Sequence, residues 1–103
     1  MKIPSKFKLF SQTWCIRGAL PGEIGDDLGQ CRPDQLEILL NPNQVEESLR
    51  HTLLHEIVHS IEQKQQLELT ERQTDLIALG LMDLFLTNPQ IKEIFDDSTD
   101  RAD

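Results

Sequence analysis

Apolar residues in the first 41 positions recur at a spacing near two, and from residue 43 onward at three and four. The chain therefore divides into a strand-rich part and a helix-rich part. Phe7 to Ile16 is rich in aromatic and β-branched side chains with a loose alternation, which predicts one long strand or a hairpin. Leu36, Ile38 and Leu40 alternate with Gln35, Glu37 and Leu39, the pattern of a short strand covered on at least one face. Between the two, Leu20 to Gly29 holds Pro21, Gly22, Gly25 and Gly29 around Asp26 and Asp27 and reads as a loop. Asn41, Pro42 and Asn43 close the strand-forming part.

Asn43 followed three residues later by Glu46 resembles a capping box, so a helix is expected from about Gln44 to Gln66. At about 100° per residue, Leu49, Leu53, Leu54, Ile57, Val58 and Ile61 fill a little under half its circumference, and His51, His55, Glu56 and His59 fall on the opposite side. Thr70 with Gln73 is a second capping box, starting a helix at Glu71 that reaches about Leu86. That helix is apolar around most of its circumference, which predicts burial. Asn88 and Pro89 then start a short amphipathic helix carrying Ile91, Ile94 and Phe95. The pattern as a whole predicts an α+β domain. A small, mainly antiparallel sheet of about three strands packs on the 44–66 helix, with the 71–86 helix behind it.

Composition narrows the partners more than the fold. With 103 residues the chain supports one core, expected over residues 1–95, and 5% aromatics leave Leu and Ile to fill it around Trp14. The formal net charge is −8, distributed as +1 over residues 1–34, −3 over 35–66 and −6 over 67–103. Part of the last share belongs to residues 96–103, an acidic stretch with the composition of a disordered tail. No cluster of Lys and Arg exists to neutralise phosphates, which argues against nucleic acid and anionic membranes as partners. Cys15 and Cys31 have neither a Cys-x-x-Cys spacing nor the number for a disulfide framework and are expected as buried thiols. The N-terminal residues lack the apolar region of a secretory signal. The longest apolar run, Leu76 to Leu86, is too short to span a bilayer and contains Asp83. The expected location is cytoplasmic.

The candidate chemistry lies on the first helix. His55-Glu56-Ile57-Val58-His59 is an H-E-x-x-H sequence, in which histidines four apart rise about 6 Å on one helix face and can reach one ion. Glu56 falls beside that ion, where a carboxylate can take a proton from a water whose pKa zinc lowers toward ~7. Such a site needs a third protein ligand. After His59 there is no Gly-x-x-His, so a third histidine of the metzincin kind is missing. Glu71 is the preferred ligand over Glu62, Glu68 or Asp75, because it opens the next helix with Asp75 one turn on, ligand and orienting carboxylate in one spacing.

H-E-x-x-H followed by Glu-x-x-x-Asp on the next helix resembles the thermolysin-type gluzincin metallopeptidases. The segment Glu71-Arg72-Gln73-Thr74-Asp75-Leu76-Ile77-Ala78 is similar to the second motif of the ImmA/IrrE-like metallopeptidases, small zincins common in phages, prophages and mobile elements. The likeness covers roughly residues 36–80. Thr74 and Ile77 stand where such proteins usually have Ala and Phe, and the chain has no tyrosine to serve as the phenolic oxyanion donor of larger thermolysin-type sites. The resemblance implies a minimal zincin fold, Zn2+ held by His55, His59 and Glu71, Glu56 as general base, and Asp75 supporting a ligating histidine. It implies hydrolysis of a protein or peptide substrate, an endopeptidase activity.

Three further readings complete the expectation. His51 lies about 12 Å along the helix from His59, too far to share an ion, and is either a surface residue of the cleft or an oxyanion or substrate contact. Arg50 and Arg72 are the alternative cations. Leu28 to Arg32 is the expected sheet edge beside the metal, able to receive an extended peptide by strand addition. The competing functional reading is a non-catalytic zinc-binding module that recognises a protein partner.

Overall fold

The fold is described by a computed structural model covering residues 2–96. Four strands, β1 (Lys6–Leu9), β2 (Gln12–Gly18), β3 (Gly29–Arg32) and β4 (Glu37–Leu40), form one sheet in the order β1-β2-β4-β3. Three helices follow, α1 (Glu46–Gln65), α2 (Glu71–Thr87) and α3 (Pro89–Glu93). The molecule is thus α+β, with one strand more than the pattern of positions suggests. Of the acidic tail only Asp96 lies within the described residues.

Residues 7–16 form a hairpin rather than one strand. Leu9 faces Gln12 across the ladder, and the two turn residues Phe10 and Ser11 both have positive φ, 49° and 69°, as a type I′ connection requires. Phe7 pairs with Trp14 across the strands and their rings stack at 5.8 Å. β2 and β4 are parallel and the other two pairings antiparallel. A short hairpin cannot join parallel neighbours, so the chain leaves β2 through residues 19–28, makes β3, and returns to the middle as β4 after one 3₁₀ turn, Pro33–Gln35. Arg17 holds this detour in place, donating to Glu37 at 2.9 Å and to Glu23 of the loop at 2.6 Å. β3 is left at the sheet edge, in the segment expected there.

Trp14, Ile16, Ile38 and Leu40 form the core, with Leu49, Leu53 and Ile57 of α1 packed onto it. α1 starts two residues later than expected. Asn43 does not cap it: Val45 occupies the cap position without a side-chain bond, while Gln44 Nε2 donates to the carbonyls of Leu28 and Asn41. Nor is the face bearing Glu56 turned away from the core. Thr52, Glu56 and Ser60 are buried against β3, and Val58 is buried on another side. The helix is therefore covered by the sheet and by α2, and the histidines line the groove between them.

α2 begins with the expected capping box, Thr70 Oγ1 accepting from Gln73 N–H and Gln73 Oε1 from Thr70 N–H. It packs on α1 through small residues, Thr74 and Ala78, both fully buried. The expectation that its apolar circumference is buried is wrong. Leu76, Ile77, Leu79, Leu84 and Leu86 remain exposed, because no second layer covers its outer side among the described residues. The thiols also depart from expectation: Cys15 is exposed on the outer face of β2, opposite in alternation to Trp14 and Ile16, and Cys31 is only partly buried. No helix among the described residues is long and apolar enough to cross a membrane.

Candidate metal centre

α1 and α2 are joined by a short loop after Gln66, whose left-handed backbone (φ 57°) ends α1. The turn brings the first residues of α2 beside the middle of α1. Glu71 Oε1 comes within 2.8 Å of His59 Nε2, and Glu71 Oε2 within 3.2 Å of His55 Nε2. The two Nε2 atoms are 3.1 Å apart. A tetrahedral shell with bonds of ~2.0–2.1 Å has edges of about 3.3 Å, close to the separation of the two Nε2 atoms, and Glu71 spans that pair with one oxygen toward each ring. Imidazole nitrogens and a carboxylate oxygen are the donor types that zinc and similar cations take, and here they converge from two helices. These residues are positioned to bind a metal ion. Glu71 is 75% exposed at its side chain, which leaves the group open to the cleft.

Each histidine of this group also meets a carboxylate at its other nitrogen. His55 Nδ1 lies 3.1 Å from Asp75 Oδ1 and His59 Nδ1 3.1 Å from Glu62 Oε1, contacts in which an Nδ1–H would donate and leave Nε2 to a cation. Asp75 is where the spacing expects it. Glu62 as the brace of His59 was missed, although a carboxylate three residues after a helical histidine is the signal for it. Its other oxygen accepts from Leu69 N–H at 3.0 Å, and that backbone donor, with His59, holds the Glu62 carboxyl below its ordinary range.

His51 also approaches Asp75, with Nε2 2.9 Å from Oδ1 but off the line of a hydrogen bond. His51, His55 and Asp75 thus form a second convergent group sharing His55. Both groups can hold ions together only if His55 loses both ring protons, so Asp75 is better described as the brace that spans two histidines. Arg50 is engaged by Glu46 at 2.7 Å, one turn back along α1.

Glu56 is 6% exposed and lies under β3. A Cβ at Gly29 would stand 3.2 Å from Glu56 Oε2 and 2.6 Å from Thr52 Cγ2, so only glycine lets this strand lie over the helix here. Burial pushes the Glu56 carboxyl up; the neighbouring His55 and His59 work in the opposite direction. Its carboxylate carries no hydrogen bond to another described residue and borders the cleft. Gly29, Gln30 and Cys31 of β3 form one wall of a cleft of about 700 Å3, His51, His55, Glu56 and His59 its floor, and Glu71 and Asp75 the opposite wall. No known family, curated protein or solved structure matches the chain.

Proposed function

We propose that the protein is a zinc-dependent metallopeptidase with His55, His59 and Glu71 as metal ligands and Glu56 as general base. When bound, zinc supplies Lewis-acid polarisation of the scissile carbonyl and acidifies a coordinated water. Glu56 accepts a proton in the cleft and returns it to the departing amine, so it ends each cycle ionised. Asp75 and Glu62 keep Nε2 of His55 and His59 pointed at the ion. The free edge of β3 faces the same cleft and can align an extended peptide by main-chain pairing, which favours a protein or peptide substrate. His51 also lines the cleft floor, but its Nε2 is buried against Asp75 Oδ1, which favours a supporting role over direct contact with a substrate carbonyl.

The observation that carries this reading is a Glu56 carboxylate free of protein hydrogen bonds on the floor of the cleft, beside three convergent candidate ligands. A structural zinc gains nothing from a base there. The test is cleavage of a peptide library by the wild type and Glu56→Gln at equal zinc occupancy. The expected result is products from the wild type and a loss of at least ~100-fold in the variant. The chain contains no tyrosine, which favours a second reading, a non-catalytic zinc module of phage or mobile-element type that binds a protein in this cleft. Absence of cleavage by both proteins supports that second reading.

A further inference from the structure

The carboxylates lining the cleft are those of Asp27, Glu56, Glu62, Glu71 and Asp75, and no Lys or Arg lines it among the described residues. Four of them have a role in the centre. Glu71 reaches the Nε2 atoms of His55 and His59, Asp75 and Glu62 meet the far nitrogens of those rings, and Glu56, 6% exposed, turns an unpaired carboxylate into the cleft beside them. Even with a divalent ion in place the lining keeps a net negative charge when the histidines are neutral. Asp27 is left over. It is exposed, and its side chain has no hydrogen bond or ion pair with another described residue. Its main chain is fixed, the N–H donating to Ile24 C=O at 3.1 Å and the C=O accepting from Asn41 Nδ2 at 3.4 Å.

The backbone next to Asp27 has groups free to hold an extended chain. Leu28 C=O accepts from Asn41 N–H at 2.8 Å. In the alternation of the β3–β4 ladder, Leu28 and Gln30 therefore direct their main-chain groups to β4, while Gly29 and Cys31 direct theirs to the open edge. Gly29 is also where α1 presents Glu56, whose Oε2 is 3.2 Å from a Cβ placed there. Strand residues advance ~3.3 Å each, so a peptide paired at Gly29 carries a side chain past Asp27 within about two residues of the bond near Glu56. Main-chain pairing does not discriminate between sequences, so the choice falls to side-chain contacts such as this one.

We propose that the substrate is a basic peptide and that Asp27 selects it, pairing with an Arg or Lys side chain close to the scissile bond. A carboxylate with no competing partner accepts charge-assisted hydrogen bonds from either, and a cleft of one sign repels an acidic sequence. The inference rests on the peptidase reading of the cleft and adds the class of sequence to it.

The experiment uses two sets of short, fluorescently labelled peptides, alike in their randomised neutral residues and carrying either Arg or Glu at the centre. They are given to the zinc-loaded wild type, Asp27→Lys and Asp83→Lys. Asp83 is exposed and does not line the cleft, so its variant makes the same change in net charge elsewhere. Cleavage is read by mass spectrometry, and binding by fluorescence anisotropy with Glu56→Gln added to each chain. The wild type and Asp83→Lys are expected to cleave and bind the Arg set at least ~5-fold better than the Glu set, and Asp27→Lys to reverse the order. Cleavage without a preference, or with one that Asp27→Lys leaves in place, overturns the proposal and leaves the peptidase reading standing. If neither set is cleaved the peptidase reading falls. Binding of the Arg set that Asp27→Lys removes then still supports selection by Asp27, whereas binding of neither set overturns it.

Discussion

His59 Nδ1 lies 3.1 Å from Glu62 Oε1, three residues along the same helix, while Glu62 Oε2 receives Leu69 N–H from the loop that leads into α2. One carboxylate therefore orients a ring of the candidate metal group and ties down the connection that delivers Glu71 to it. Glu62→Ala is expected to weaken zinc binding by ~10 to 100-fold, as loss of an orienting partner does, and to lower the melting temperature of the metal-free protein. Chelator competition and thermal unfolding check both effects. Unchanged zinc affinity would show that His59 is held without Glu62.

Glu71 and Asp75 separate by role. Glu71→Ala removes a donor that reaches both Nε2 atoms and should abolish tight zinc binding. Asp75→Ala removes the brace on His55 and the contact with His51 but no candidate ligand, and should cost ~10 to 100-fold. The reverse order of severity, in the same competition assay, would mean that Asp75 is the ligand.

Gly29 is the point at which the sheet edge meets the floor of the cleft. Gly29→Ala drives a Cβ into Thr52 Cγ2 at 2.6 Å and is expected to destabilise the fold by ~1–3 kcal/mol, the range for overpacking. Thr52→Ser deletes that methyl and keeps the hydroxyl that lies 3.1 Å from Gln44 Oε1. The double variant should regain most of the lost stability in a denaturant titration. No regain would place the clash elsewhere.

The Arg17 guanidinium, with help from Leu20 N–H, holds the Glu23 carboxyl down to about 2 from an ordinary 4.5. A carboxylate depressed in the folded state stabilises it fully above its unfolded pKa, and that contribution is lost as pH falls toward the folded value. The metal-free wild type should therefore lose stability between about pH 4.5 and 2 more steeply than Glu23→Gln. Melting temperatures measured across that interval decide it, and parallel curves would remove Glu23 from the acid limb.

The parts of this molecule that the sequence makes legible are those fixed by neighbours along the chain. Thr70 and Gln73 cap α2 where a three-residue spacing expects it, and Pro89 opens α3. The spacing Glu71-x-x-x-Asp75 places both carboxylates at His55, Glu71 on Nε2 and Asp75 on Nδ1. What escapes the sequence depends on distant packing. Asn43 loses its capping role because Gln44 is drawn to the carbonyls of Leu28 and Asn41. Glu56 is buried because β3 returns over it at Gly29, a contact between residues 27 apart in the chain. The apolar circumference of α2 suggests enclosure, yet enclosure needs a second layer, and α2 makes its extensive contacts with α1 and α3 while Leu76, Ile77 and Leu86 stay exposed.

The account rests on an ion held by His55, His59 and Glu71, and X-ray absorption at the zinc edge of the purified protein tests that most directly. The predicted spectrum shows one zinc per chain with two imidazoles and oxygen ligands at ~2.0–2.2 Å, no sulfur at ~2.3 Å, and loss of the imidazole signature in His59→Ala. A protein that takes up no zinc, or one whose zinc is bound through sulfur of Cys15 or Cys31, would contradict it.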